Sequence, residues 1–208
     1  MVLVRPMLAT DVDAVRTVDA AAFGPWLART GVTDIAPRTR ENVLYRLARD
    51  PDGCFVAEVA GQVVGLIFSC TWGSVGWFGA FAVLPEHQGQ GIGRQLLAAS
   101  VAYLRRDPAR LVGLETMPES AHNVGLYMRA GFQPRMLTLH LVRPLPPAGQ
   151  APGLAAWSQA DAAERARWLA DLREAAGAIC PGLDYSKEIV LTAEHAMGET
   201  LLLLDGGK

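Results

Sequence analysis

Val83-Leu84-Pro85-Glu86-His87-Gln88-Gly89-Gln90-Gly91-Ile92-Gly93-Arg94-Gln95-Leu96-Leu97 joins an apolar strand, Phe78 to Val83, to an apolar-periodic helix running to about Arg105. Glycines stand at alternate positions, 89, 91 and 93. Without Cβ atoms, such a backbone can fold closely round a bulky ligand and gather successive N–H groups into one concavity. The helix that follows adds unpaired N–H donors and the positive end of its dipole. Strand, glycine loop and helix N-terminus together predict a site for phosphate-like anions. A dinucleotide fingerprint would need a third glycine where Arg94 stands, and a P-loop would need a Gly-Lys-Ser/Thr ending that no glycine here provides. A solvated strand-to-helix turn would account for three glycines alone, so the flanks must decide.

Gln88-x-x-Gly91-x-Gly93, with Val83-Leu84-Pro85 before it and Leu96-Leu97 after it, resembles the pyrophosphate-binding segment of the GNAT superfamily of N-acetyltransferases. Downstream, Asn123-Val124-Gly125-Leu126-Tyr127-Met128-Arg129-Ala130-Gly131-Phe132 is similar to that family's N-x-x-x-x-Y-x-x-x-G-F ending. The resemblance covers about residues 2–143. It implies an α/β (α+β) fold with a mixed sheet, and acetyl-CoA as cofactor. Gln88, Gly89, Gln90, Gly91, Ile92, Gly93 and Arg94 would hold the diphosphate, and the backbone of Ala82 and Val83 the pantetheine arm. Asn123 would contact the cofactor, and Tyr127 would act as general acid toward the CoA sulfur. On helix geometry alone, Val124, Tyr127 and Met128 form an apolar face on which a tyrosine is usually core.

The general base departs from the family pattern. Many members carry a glutamate on the strand before the loop, whereas Trp77-Phe78-Gly79-Ala80-Phe81-Ala82 has no ionisable side chain. Glu115, near the end of the next strand, is the substitute, with Glu119 and His122 behind it. A solvated strand-end carboxylate is the alternative reading of Glu115. Arg94, Gln95 and Arg129 could reach CoA phosphates, although Arg94 also suits a plain surface position. The loop between the first two helices offers Trp26, Arg29, Asp34 and Arg38 for an amine substrate that is small or amino-acid-like. Two rivals stay open: an acyl-CoA-binding module without catalysis, its cleft closed by the C-terminal tail, and a regulatory domain using the loop for ATP or NAD.

Half of the 208 residues are hydrophobic, which suits a substantial core. No apolar run reaches the ~18 residues a bilayer demands, so no membrane partner is expected, and Met1 to Ala9 reads as a first strand, not a signal peptide. Cys54, Cys70 and Cys180 have neither metal nor disulfide-framework spacing, which makes cytoplasm the default compartment and predicts no metal. A formal charge of −2 without a basic block argues against nucleic acid.

In order, the chain predicts a strand at 2–5 and a helix opened by Thr10-x-x-Asp13 and stopped by Gly24-Pro25. A second helix capped by Thr39 follows, then a hairpin of 55–59 with 63–70, and the strand into the loop. Beyond the loop helix come a strand at 110–116, a helix at 120–130 and a strand at 136–142. Six prolines and glycines crowd 144–153, which reads as a linker. The tail, 154–208, then repeats the opening order of helix, break, helix and strand. We read it as the front part of a second GNAT-like unit cut off in mid-hairpin, an ordinary two-helix appendage being the alternative. Pairing of 200–204 with nothing, or with the first sheet's edge, would count against the repeat. Only eleven residues part Phe132 from Pro144, so the first sheet would lack its last strand and offer an open edge at 136–142. The tail, or a second copy in a homodimer, is expected to cover it.

Overall fold

Five strands form one sheet in the order β1-β2-β3-β4-β5 in the computed structural model, which describes residues 1–30, 38–106, 111–136, 138 and 153–203. The strands are β1 (Val2–Pro6), β2 (Cys54–Val59), β3 (Gln62–Trp72), β4 (Val75–Val83) and β5 (Leu111–Gly113). Neighbours from β1 to β4 run antiparallel and β5 runs parallel to β4, as a mixed sheet requires. Helices α1 (Val12–Thr30) and α2 (Arg40–Arg49) cover one face, burying Val12, Val15, Val18 and Val43 against Val56, Leu66 and Phe68. On the other face α3 (Ile92–Leu104) buries Ile92, Leu96, Leu97 and Leu104 against Ala57, Val64, Ile67 and Phe78. Helix α4 (Ala121–Arg129) joins that layer through Leu126 and Tyr127.

Several local expectations need correction. Helix α1 does not stop at Gly24-Pro25 but continues through Pro25 to Thr30. Part of what pushes the residue before a proline out of the helical region is the clash with its own Cβ, and Gly24 has none. Its start is organised by Asp11 and not Thr10: the Asp11 carboxylate accepts from the Leu8 amide (2.8 Å) and from Arg5 (2.7 and 2.9 Å). Strand β5 is three residues long, not seven, so Glu115 lies beyond its end. Thr39 caps α2 as expected, accepting from the Asn42 amide. Most of the strand expected at 136–142, with the open edge argued from it, lies outside the described residues, as does nearly all of the linker.

The tail is built from β6 (Leu154–Ala156), α5 (Ala162–Ile179), α6 (Ser186–Glu194) and β7 (Leu201–Leu203). Strand β6 was hidden by its place against the proline-rich stretch. It pairs antiparallel with β7, as β1 pairs with β2. One step past each ladder the same bond recurs: the Met7 amide donates to Cys54 O (2.8 Å) and the Trp157 amide to Thr200 O (2.9 Å). Met7 and Trp157 are both buried at the head of their helices.

The tail docks on α2 and on the turn between β3 and β4. Glu188 of α6 accepts from Tyr45, from Arg49 (2.9 and 3.0 Å) and from Trp72 Nε1 (2.9 Å). Lys187 donates to both oxygens of Asp50 (3.0 Å each), which also accepts from Thr71 and Tyr103. Ser74 donates through its amide to Gly182 O and through its hydroxyl to Pro181 O. This docking lies at the start of β4, whereas the glycine loop follows its end. The described tail residues therefore do not close the cleft, contrary to the expectation attached to the non-catalytic reading.

Candidate active site

Strand β4 splits the sheet. Its pairing with β5 is confined to Val75–Leu111, Gly76–Val112 and Trp77–Gly113, and from Phe78 to Val83 no described strand continues on that side. Main-chain groups with no strand partner among the described residues thus line a fork leading to the glycine loop. The register of β4 against β3 also slips by one residue between Phe78 and Phe81, a bulge that leaves Gly79 exposed in the middle of the sheet.

Beyond Val83, a short turn at Pro85–His87 leads into the loop. Gly89 and Gly91 take φ of 75° and 81°, a region that disfavours side chains, and Gly91 is the residue from which α3 starts. Gly93 serves a different need, since a Cβ there would lie 3.2 Å from the Phe81 ring. No described residue accepts from the amides of Gly89, Gln90, Gly91, Ile92, Gly93 or Arg94. The run of free donors begins one residue later than the motif suggests. Gln88 is itself engaged, its amide donating to Pro85 O (3.2 Å) and its Nε2 to Val83 O (2.9 Å). Gln88 shapes the loop and closes the end of β4. The Arg94 guanidinium folds back over Gly91 and makes no ion pair with a described residue. Six amides with no described acceptor, a helix N-terminus and a cation beside Gly91 fit a diphosphate such as that of CoA.

Tyr127 comes to the fork from α4. Its ring packs against Phe78 (5.9 Å between centroids), Phe81 (6.3 Å) and Phe132 (6.5 Å), so it touches both residues flanking the bulge. It is half-buried, and its hydroxyl bonds to no described residue. Burial pushes the phenol up to about 12, which keeps a proton on Oη across neutral pH. Asn123 sits one turn earlier on α4, its amide capped by the Ser120 hydroxyl. Glu115 is exposed and accepts from the Thr138 hydroxyl (3.3 Å). Glu119 accepts from Trp26 Nε1 (3.2 Å), tying the last turns of α1 to the segment before α4.

One residue at the fork escaped sequence reasoning. Arg46 of α2 reaches the bulge from the opposite face and donates to Gly79 O (3.1 Å). Its only sequence signal is the Asn42/Arg46 pair, four residues apart on one edge of an amphipathic helix.

A split mixed sheet with a diphosphate-shaped glycine loop at its fork defines an acyl-CoA-dependent transferase fold. The chain belongs to the GNAT acetyltransferase family, whose model matches residues 21–132. Acetyl-CoA is the cofactor of that family. A mycothiol acetyltransferase from Cellulomonas flavigena is 34% identical over 133 residues, which is 59% of this chain and 37% of that relative. The matched stretch spans about two-fifths of the length of the first curated relatives. A Pyrococcus horikoshii structure assigned as an acetyltransferase shares the fold at a TM-score of 0.65 and 18% identity, over 98% of this chain and 65% of that one. The PaiA N-acetyltransferase of Thermoplasma acidophilum, solved with coenzyme A, matches at a TM-score of 0.55 and 14% identity, over 64% of this chain and 90% of that one.

Proposed function

We propose that this chain is an N-acetyltransferase that moves an acetyl group from acetyl-CoA to the primary amine of a small or amino-acid-like molecule. The observation that carries the reading is the run of amides from Gly89 to Arg94, and with them a phenol, that bond to no described residue. When bound, acetyl-CoA supplies an activated acetyl group as its thioester. The loop amides and Arg94 hold its diphosphate, and the main chain of Ala82 and Val83 pairs with the pantetheine arm at the fork. Asn123 contacts the cofactor from α4. Tyr127 Oη donates its proton toward the departing sulfur. Glu115 takes the proton that the amine loses, directly or through water.

Thiol release with a panel of primary amines tests this. Turnover above thioester hydrolysis is expected. Tight CoA binding without turnover for any amine would replace the enzyme with an acyl-CoA-binding module. Calorimetry with CoA, ATP and NAD separates the nucleotide-binding alternative, since CoA is expected to bind far more tightly.

We also infer that residues 153–203 form the front part of a second GNAT-like unit. The shared element order, the matching antiparallel pairs β1–β2 and β6–β7, and the equivalent Met7 and Trp157 bonds support this. So does the extent of the likeness to the Pyrococcus horikoshii structure. An experimental structure in which β7 pairs with nothing, or with the edge of the first sheet, would remove it.

A further inference from the structure

Arg46 stands apart from its neighbours in how its charge is met. Arg5, Arg16, Arg38, Arg40 and Arg49 each lie within ion-pair distance of a carboxylate. Arg46 has none. Its Nε donates to Asn42 Oδ1 (3.2 Å), its Nη1 to Gly79 O (3.1 Å), and its guanidinium carbon lies 5.5 Å from the centroid of the Phe68 ring. Nη2 makes no hydrogen bond with a described residue. Burial and the nearby cations Arg38 and Arg49 lower its pKa to about 10, so it stays charged at neutral pH.

The position gives this lone cation a meaning. Gly79 is exposed where β4 has run past its last pair with β5, and a Cβ built there would meet no atom within 4 Å. The space over the bulge is therefore open. Phe78 and Phe81 face the α3/α4 layer with Tyr127, whereas Ala80, Ala82 and Phe68 face the α1/α2 layer from which Arg46 projects. The phenol and the guanidinium thus approach the same bulge from opposite faces of the sheet. A thioester carbon brought to the fork by the loop can be met by an amine only where the main chain is uncovered, and Gly79, to whose carbonyl Arg46 donates, is such a place.

We propose that Arg46 binds the carboxylate of an acceptor that carries both a primary amine and a carboxylate, in the open space over Gly79. A guanidinium fixed by Asn42 and Gly79 O is held in place before any acceptor arrives, and its free Nη2 edge points a planar donor at an anion. A neutral amine would leave that cation without a counter-charge. The proposal rests on the reading of the chain as a small-amine N-acetyltransferase, and its test separates the two.

Titration calorimetry would use the full chain saturated with CoA. The probes are N-acetylglycine, N-acetylalanine and N-acetylleucine, each beside its N-methylamide, which removes the carboxylate and little else. At least one free acid is expected to bind about ten- to a hundredfold more tightly than its methylamide. That preference should vanish in Arg46→Gln and persist in part in Arg46→Lys, while CoA affinity stays unchanged. Equal binding of acids and methylamides by the unaltered protein overturns the proposal, whether or not a variant folds. So does a preference that survives Arg46→Gln. Turnover of carboxylate-free amines as fast as of amino acids defeats the carboxylate site and leaves the enzyme standing. An Arg46-dependent preference without turnover of any amine does the reverse.

Discussion

The two ends of β4 are used in opposite ways. At Val75 the strand is paired on both sides, and the turn before it is locked by Gly182, Pro181 and Leu183 of the tail. The carboxylates nearby are saturated with donors: Asp50 accepts from Lys187, Thr71 and Tyr103, and Glu188 from Arg49, Tyr45 and Trp72. At Val83 the strand is paired on one side only among the described residues. Six successive amides, a phenol and an arginine wait there without a protein partner among the described residues. Polar groups turned inward hold the fold together, whereas polar groups left open are available to a ligand. The difference predicts that changes at the open end alter chemistry and leave stability alone, and that changes at the closed end do the opposite.

The largest effect is expected at the open end. Tyr127→Phe removes one hydroxyl that bonds to no described residue, so unfolding in denaturant should move little. Loss of a positioned proton donor should lower kcat by about 10² to 10⁴-fold, equivalent to about 3–5 kcal/mol of barrier. The sign with pH follows from burial. A phenol raised from 10 to about 12 keeps its proton as pH rises through 10, so the unaltered enzyme should show no loss from this group in the ordinary tyrosine range. A rate unchanged by the substitution, or a stability lost along with the rate, would break the contrast.

At the closed end, Gly73→Ala should do the opposite. Gly73 has φ of 59°, and a Cβ there would lie 2.1 Å from Gly182 O, a main-chain atom that cannot rotate away. Left-handed strain and the collision together should cost about 2–4 kcal/mol. Chemical denaturation measures it, and calorimetry should find CoA affinity unchanged. Weakened CoA binding would mean that the two ends are coupled through β4.

What the sequence announced and what it concealed follow the same division. The open end is local: fifteen consecutive residues carry strand, glycines and helix start, and Asn123 to Phe132 carry the rest, so both could be recognised on sight. Gln88 shows the limit of that recognition, because the motif marks the residue while the geometry turns its amide and side chain inward. The closed end is non-local. Tyr45, Asp50, Trp72 and Lys187–Glu188 are separated by up to 143 residues, and no spacing rule brings them together. Strand β6 is three residues long and borders the proline-rich stretch, and its pairing partner is 45 or more residues away. Arg46 concealed its role for another reason. Its helix announced a buried face and an exposed one, but the bulge that uncovers Gly79 depends on the register of β3 against β4, which the alternation of apolar residues does not encode.

The smallest effect, and the sharpest probe of the closed end, is its response to acid. Burial alone would raise the Glu188 carboxyl, but hydrogen bonds from Tyr45 and Trp72 and the charge of Arg49 outweigh it and hold the group below its ordinary value. A carboxylate depressed in the folded state contributes stability that is fully present above its unfolded pKa and is lost as pH falls through the folded one. Glu188→Gln should therefore cost about 1–2 kcal/mol at pH 7, modest because about a quarter of the side chain is exposed. That cost should hold down to about pH 5 and shrink below the unfolded carboxylate range near 4.5, as the native glutamate takes up its proton. Denaturation series of both proteins between pH 7 and pH 3 measure the gap. A gap that stays constant as the pH falls would mean that Glu188 is held by shape and not by its charge, and the docking of α6 on α2 would then be a matter of packing alone.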